Sequence, residues 1–214
     1  MKSIGVLGGS FDPIHHGHLR LAIETLEALA LDQVLLIPLN RPNADKRPCA
    51  SGDQRLAMLQ AALAADSRLR ADDRELKRGG MSYTVDTLLS VRGDHPADSL
   101  CLILGLDAYH SIGRWHRWQS ILDLANVIVA ERPGFEKVGT AQVPDVFTKA
   151  EVVDPRQMKE RPHGGVYRQR ITLLDISSSD IRRRIQQGYS ARYLLPDVVH
   201  DYILTNALYS GAET

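Results

Sequence analysis

Two groups of residues have the types and spacing to do chemistry, and they stand at opposite ends of the chain. The first is Gly8-Gly9-Ser10-Phe11-Asp12-Pro13-Ile14-His15-His16-Gly17-His18. Its two leading glycines let backbone come close to a ligand. Residues 4–7 before them form a short apolar run that reads as a buried strand, and residues 17–30 after them read as an amphipathic helix. Strand, glycine turn and helix start together present backbone N–H groups and a positive helix end to a phosphate. The histidines add donors that can carry charge near neutral pH. His15 and His18 hold a His-x-Gly-His spacing, while His16 falls on its variable position and reads as a bystander. The pattern is neither a P-loop, since no Gly-Lys-Ser/Thr follows, nor the dinucleotide Gly-x-Gly-x-x-Gly turn. The second group is Ile176-Ser177-Ser178-Ser179-Asp180-Ile181-Arg182. Serines at a helix start offer hydroxyls and N–H groups to an anion, and Arg182 lies one turn further on. Ser177-x-x-Asp180 also fits a plain capping box, but a cap does not call for three consecutive serines followed by arginine.

Between these ends lie residues suited to a flat, hydroxylated ligand. Asn40 opens a loop, 40–52, with three basic residues, Arg41, Lys46 and Arg47, any of which could meet phosphate. The loop leaves the carboxyl end of a strand, where open α/β sheets bind ligands. Ser82-Tyr83-Thr84 reads as a helix start with Thr84 as its cap. Gly105-Leu106-Asp107 follows the most strand-like run, 99–105, and its carboxylate is placed to accept ribose hydroxyls. Trp115 can stack on a flat ring, whereas Trp118 reads as packing. Arg132 sits in the turn after a further strand, 125–130.

The elements that must position these groups alternate. Apolar runs at 33–38, 99–105, 125–130 and 171–174 read as strands. Helices are expected after Ser51, whose Ser51-x-x-Gln54 is a capping box, after residue 82, and from Pro196 to the end. Leu56, Leu59 and Leu63, then Val85, Leu88 and Leu89, then Val199, Tyr202, Ile203 and Leu208 should face inward. A short strand is expected within 68–77 and an edge strand at Val152-Val153. Residues 155–170 read as a mobile loop or lid, because structureless loops of that length are uncommon unless functional. The expected fold is an α/β, Rossmann-like, doubly wound parallel sheet in one domain over 1–214, with a small helical part over 176–214.

Composition narrows the function. The 214 residues carry 26 basic and 26 acidic side chains, so no global field draws nucleic acid or an anionic membrane, and an anionic substrate must be met locally. No stretch approaches the length of a membrane span, and no leader is evident, so the expected setting is cytoplasmic. Cys49 and Cys101 form no metal or redox spacing, and Cys101 reads as a core residue. No activated serine or cysteine nucleophile is apparent.

The two end motifs resemble those of the nucleotidyltransferase superfamily that shares its core with class I aminoacyl-tRNA synthetases. The second resembles its Ile-Ser-Ser-Thr-x-x-Arg signature with Ser179 in the threonine position. Together with Ser82-Tyr83-Thr84, Gly105, Asp107, Trp115 and Arg132, the chain is similar to the bacterial nicotinate mononucleotide adenylyltransferases. That resemblance implies transfer of adenylate from ATP to nicotinate mononucleotide, with release of pyrophosphate. It implies an ATP site built by Gly8, Gly9, Ser10, Phe11, His15, His18, Gly105, Asp107, Ile176, Ser177, Ser178 and Arg182. It implies a mononucleotide site built by Asn40, Lys46, Thr84, Asp107, Trp115, His116 and Arg132, with His116 offering its backbone N–H. His18, His15, Arg182 and Lys46 would carry catalysis. Magnesium would be carried mainly by the ATP phosphates, with no dedicated protein metal site, and the chain would act as monomer or homodimer. Nicotinamide mononucleotide as substrate, a phosphopantetheine adenylyltransferase and a non-catalytic nucleotide-binding regulator are the alternatives. The last fits poorly with His15, His18 and Arg182 all being present. A tRNA synthetase is excluded by size and by the lack of a Lys-Met-Ser-Lys-Ser loop.

Overall fold

The structure is a computed structural model that describes residues 1–42, 47–131, 143–172 and 174–211. The chain alternates strand and helix. β1 (Ser3–Gly9), α1 (His16–Ala28) and β2 (Gln33–Pro38) form the first unit. α2 (Gly52–Leu63), β3 (Leu69–Ala71), α3 (Arg74–Arg78) and α4 (Thr84–Asp94) follow. Then come β4 (Ser99–Gly105), α5 (Leu106–His110), α6 (Ile121–Leu124) and β5 (Asn126–Glu131). α7 (Asp145–Lys149), α8 (Gln157–Glu160), β6 (Val166–Arg170), α9 (Ser178–Gln186) and α10 (Asp197–Thr205) complete it. The strands form one sheet in the order β3-β2-β1-β4-β5-β6, with every neighbour parallel. The order reverses between β1 and β4. In an open parallel sheet this is where a crevice opens at the carboxyl ends of the strands.

Period-two alternation divides the strands between two cores. Val34, Leu36, Cys101, Ile103 and Ile128 face one side with α1, α2, α9 and α10. Ile4, Val6, Leu35, Ile37, Leu100, Leu102, Val127 and Val129 face the other with α4, α5, α6 and α7. Both faces being covered explains why these strands read as continuous apolar runs. Gly5 is fixed by this packing. A Cβ there would lie 2.9 Å from Val34 and 3.0 Å from Ile103, so β1 must offer a smooth surface between its neighbours.

The α2 start is the reciprocal Ser51/Gln54 capping box. Other expectations are corrected. The last strand is Val166–Arg170, not 171–174, and it pairs with β5. The stretch 155–170, expected as a loop, is therefore largely built: α8 and β6 occupy it. Asn126, wholly buried, donates to the carbonyls of Met158 and Arg161 and accepts from Gly165 N–H, tying this stretch to the sheet. At 151–153 there is only a bridge, Glu151 to Val166, and Val153 is exposed. Tyr83, not Thr84, is the residue preceding α4, and no side chain caps that helix. Leu89 is 43% exposed; Val91 is the inward residue instead, because it falls about one helical turn after Leu88, which falls about one turn after Val85. Ala30 lies beyond α1 and is exposed, and Leu208 packs on the core from beyond α10.

Candidate active site

The first motif runs from the end of β1 into α1. His15 precedes α1 in extended conformation, and its carbonyl accepts from the N–H groups of His18 and Leu19. This places the His15 and His18 rings one turn apart on one face, stacked at 3.8 Å between centroids and 27° between planes. Phe11 meets His18 edge-on at 5.1 Å. Phe11 is fully buried with φ 47, a left-handed conformation that its packed ring holds in place. Gly17 is set by the same stack: a Cβ there would lie 3.0 Å from His15 ring atoms and 3.6 Å from the Ile176 carbonyl. His15 is buried and His18 half-buried. His16 donates its backbone N–H to the Leu194 carbonyl and stands outside the stack.

The second motif closes on the first. Ser178 Oγ donates to the Pro13 carbonyl at 2.9 Å, and Arg182 Nη1 donates to the Asp12 carbonyl. Ser177 Oγ accepts from Asp180 N–H as the cap of α9, while the Asp180 carboxylate turns instead to Arg183 and Arg184. Ser178 Oγ is therefore used in joining the two motifs, and Ser177 Oγ in capping α9. The donors that a helix start leaves over here are the N–H groups of Ser178 and Ser179, beside the Arg182 guanidinium. Arg182 Nη2 also lies 3.3 Å from Ser179 Oγ.

Beneath the two motifs lies a residue that sequence reasoning did not single out. Asp12 is 1% exposed. Its carboxylate accepts from Cys49 N–H at 2.7 Å, Ala50 N–H at 3.1 Å and Tyr209 O–H at 2.7 Å. Arg182 Nη1 stands 3.5 Å from it. Arg55, also 1% exposed, donates to the carbonyls of Ser10 and Ala50 and is electrostatically coupled to Asp12. Asp12 was visible only as part of the glycine turn. Arg55 and Tyr209 carried no signal, because a cation inside a helix and a tyrosine near the end of a chain are ordinary until the fold brings them to one carboxylate.

Gly8, one residue before the end of β1, and Gly105, the last of the adjacent β4, would each place a Cβ with nothing within 4 Å. Open space therefore lies in front of both, at the switch in strand order. Gly105 precedes α5, and Asp107 is exposed in its first turn. Further along, Ser82, Tyr83, Thr84, Ser111, Arg114, Trp115 and His116 line a cavity of about 310 Å³. Trp115 is half-buried, and its indole N–H donates to Ser111 Oγ at 3.1 Å, which fixes the ring plane. The α4 N-terminus opens on the cavity, so its wall favours negative charge. The His116 ring lies against Tyr83 at 4.4 Å on the same wall. Trp118 packs at 6.1 Å from Phe147, as a structural residue. The Asn40 backbone N–H donates to Ser82 Oγ and its side-chain amide to the Gly80 carbonyl, so it anchors the cavity wall to the end of β2. Lys46 and Arg132 lie outside the described residues.

Residues 6–184 match the Cytidylyltransferase-like family. The chain is 42% identical over 208 residues to a protein of Methylococcus capsulatus named as a nicotinate-nucleotide adenylyltransferase, covering 97% of this chain and 99% of that one. A Pseudomonas aeruginosa protein of the same name is 41% identical over 209 residues, with 97% of each covered. Among solved structures, Plasmodium falciparum nicotinic acid mononucleotide adenylyltransferase complexed with NaAD aligns with a TM-score of 0.74 at 22% identity, over 98% of both chains, a likeness of fold. With glycine turn, paired histidines and serine–arginine helix start joined in one place, and with relatives of this identity along nearly its whole length, the chain belongs to the nicotinate-nucleotide adenylyltransferase family.

Proposed function

We propose that the chain joins nicotinate mononucleotide and ATP to give nicotinate adenine dinucleotide and pyrophosphate. The observation that carries this reading is the closure of the two end motifs on each other, which puts the His15–His18 stack, the α9 N-terminus and Arg182 around one place. The adenine would lie over the turn at 8–11, against the start of α9. The mononucleotide ring would enter the 310 Å³ cavity beside Trp115, with its carboxylate toward the N-terminus of α4. That end of a helix favours an acid over an amide.

The reaction needs no enzyme nucleophile. A mononucleotide phosphate oxygen attacks the ATP α-phosphorus, and the bond from that phosphorus to the bridging β-oxygen breaks as pyrophosphate leaves. Catalysis is then alignment plus neutralisation of charge on the departing group. His18 is assigned to the transition state, with His15 behind it. Arg182 and the N–H groups of α9 are assigned to the outer phosphates. Magnesium would be carried by the ATP oxygens and water. Lys46 and Arg132 are assigned to the mononucleotide by resemblance alone. Replacing His18 with alanine should lower the turnover number in a coupled pyrophosphate assay by about 10²–10³, the usual cost of one donor to developing charge. An unchanged turnover number removes His18 from the mechanism.

A further inference from the structure

The carboxyl-terminal stretch lies beyond the matched residues 6–184, yet it reaches back into the site. After α10 the chain turns through Ala207 and Tyr209, both in left-handed conformation, and Tyr209 enters a half-buried position. Its hydroxyl donates to Asp12 Oδ1 at 2.7 Å. A carboxylate offers about four lone-pair directions. Here three are filled by neutral donors: Ala50 N–H and Tyr209 O–H on Oδ1, and Cys49 N–H on Oδ2. The fourth faces Arg182, whose Nη1 stays 3.5 Å away and gives its hydrogen bond to the Asp12 carbonyl instead. Asp12 is 1% exposed, so its carboxylate is held by protein donors and not by bulk water. The nearby cation Arg55 is committed to the Ser10 and Ala50 carbonyls. If the tyrosine hydroxyl is removed, Arg182 is the donor close enough to swing onto the carboxylate.

We infer that Tyr209 is a positioning residue for ATP: by satisfying Asp12 with a neutral donor, it keeps the Arg182 guanidinium from collapsing into a tight ion pair and leaves its charge available to the outer phosphates. This rests on the assignment of Arg182 to ATP made above. It gives the carboxyl-terminal stretch a role in substrate binding, and it couples that stretch to the loop ending at Cys49-Ala50 through one carboxylate.

The test is Tyr209→Phe, which removes a single oxygen. Magnesium-ATP affinity is measured by calorimetry without mononucleotide, and KM is measured for both substrates. The expected result is ATP binding weakened about tenfold, the size of one charge-assisted hydrogen bond partly lost. The mononucleotide KM should stay within twofold. In an Arg182→Ala background, adding Tyr209→Phe should change ATP binding no further, since the tyrosine acts through that arginine. Unchanged ATP affinity overturns the inference. So does an additive loss in the double variant, or an equal loss for both substrates accompanied by loss of a cooperative melt, which assigns the hydroxyl to folding. If the unsubstituted chain binds no ATP, the proposed function fails. If it binds ATP and Tyr209→Phe binds equally well, only the role of Tyr209 fails.

Discussion

Replacing Arg55 with methionine isolates the buried charges under the two end motifs. The Arg55 side chain is 1% exposed, donates to Ser10 O at 2.8 Å and Ala50 O at 3.3 Å, and is coupled to Asp12. Burial lowers its pKa and the negative charge of Asp12 opposes that shift, so the guanidinium is held inside by its partners. Methionine keeps much of the volume and none of the donors. One buried and one part-buried carbonyl are left short of a partner, and Asp12 loses a buried cation coupled to it. Breaking a buried pair from one side costs about 3–5 kcal/mol. Asp12 keeps three neutral donors and Arg182 at 3.5 Å, which offsets part of that loss. The expected loss is about 2–4 kcal/mol, or roughly 5–15 °C in Tm for a chain of this size. Urea unfolding followed by far-ultraviolet circular dichroism reads it directly, as a lower midpoint at unchanged slope. A loss below about 1 kcal/mol would show that Arg55 is a tolerated buried cation and not a support of the Gly9-Ser10 turn.

Two further outcomes follow from the same geometry. Trp115→Ala should raise the mononucleotide KM about tenfold or more while leaving ATP affinity within twofold, because the ring lines only the cavity beside Tyr83 and Thr84; equal losses for both substrates would make it structural. Burial pushes the Cys101 thiol up to about 11, while Cys49 is exposed, so a thiol reagent at pH 8 should titrate one group in the native chain and two after denaturation. The raised pKa also has a pH consequence. The unfolded chain ionises near its ordinary value of 9.0 while the folded one stays neutral, so this contribution to stability is complete below pH 9 and lost between about 9 and 11.

The sheet was legible where burial on both faces gave an unbroken apolar run. The strands at 33–38 and 99–105 fall where the sequence puts them. β6 was missed because it is an edge strand: Val-Tyr-Arg-Gln-Arg alternates and carries charge outward, with Arg168 reaching Glu131 and Glu151. A polar strand of that kind looks like a loop until a neighbour pairs with it. The two end motifs stood out because glycine, histidine, serine and arginine at fixed spacing have few other uses in combination, and the structure joins them. The hydroxyl roles did not, since Ser177 and Ser178 are equally good at capping a helix and at bridging to Pro13, and the structure uses them for both. The Asp12 junction joins residues 49, 50, 55, 182 and 209, and separations of that length leave no local pattern in one sequence.

The most direct test of the whole account is product formation from magnesium-ATP with nicotinate mononucleotide, run beside the amide mononucleotide and phosphopantetheine, with pyrophosphate and the dinucleotide both quantified. The account predicts one pyrophosphate per deamido dinucleotide, and a kcat/KM for the acid at least tenfold above that for the amide, the worth of one charged contact at a helix N-terminus. Pyrophosphate released with phosphopantetheine but not with the acid, or no turnover with any of the three, would contradict it.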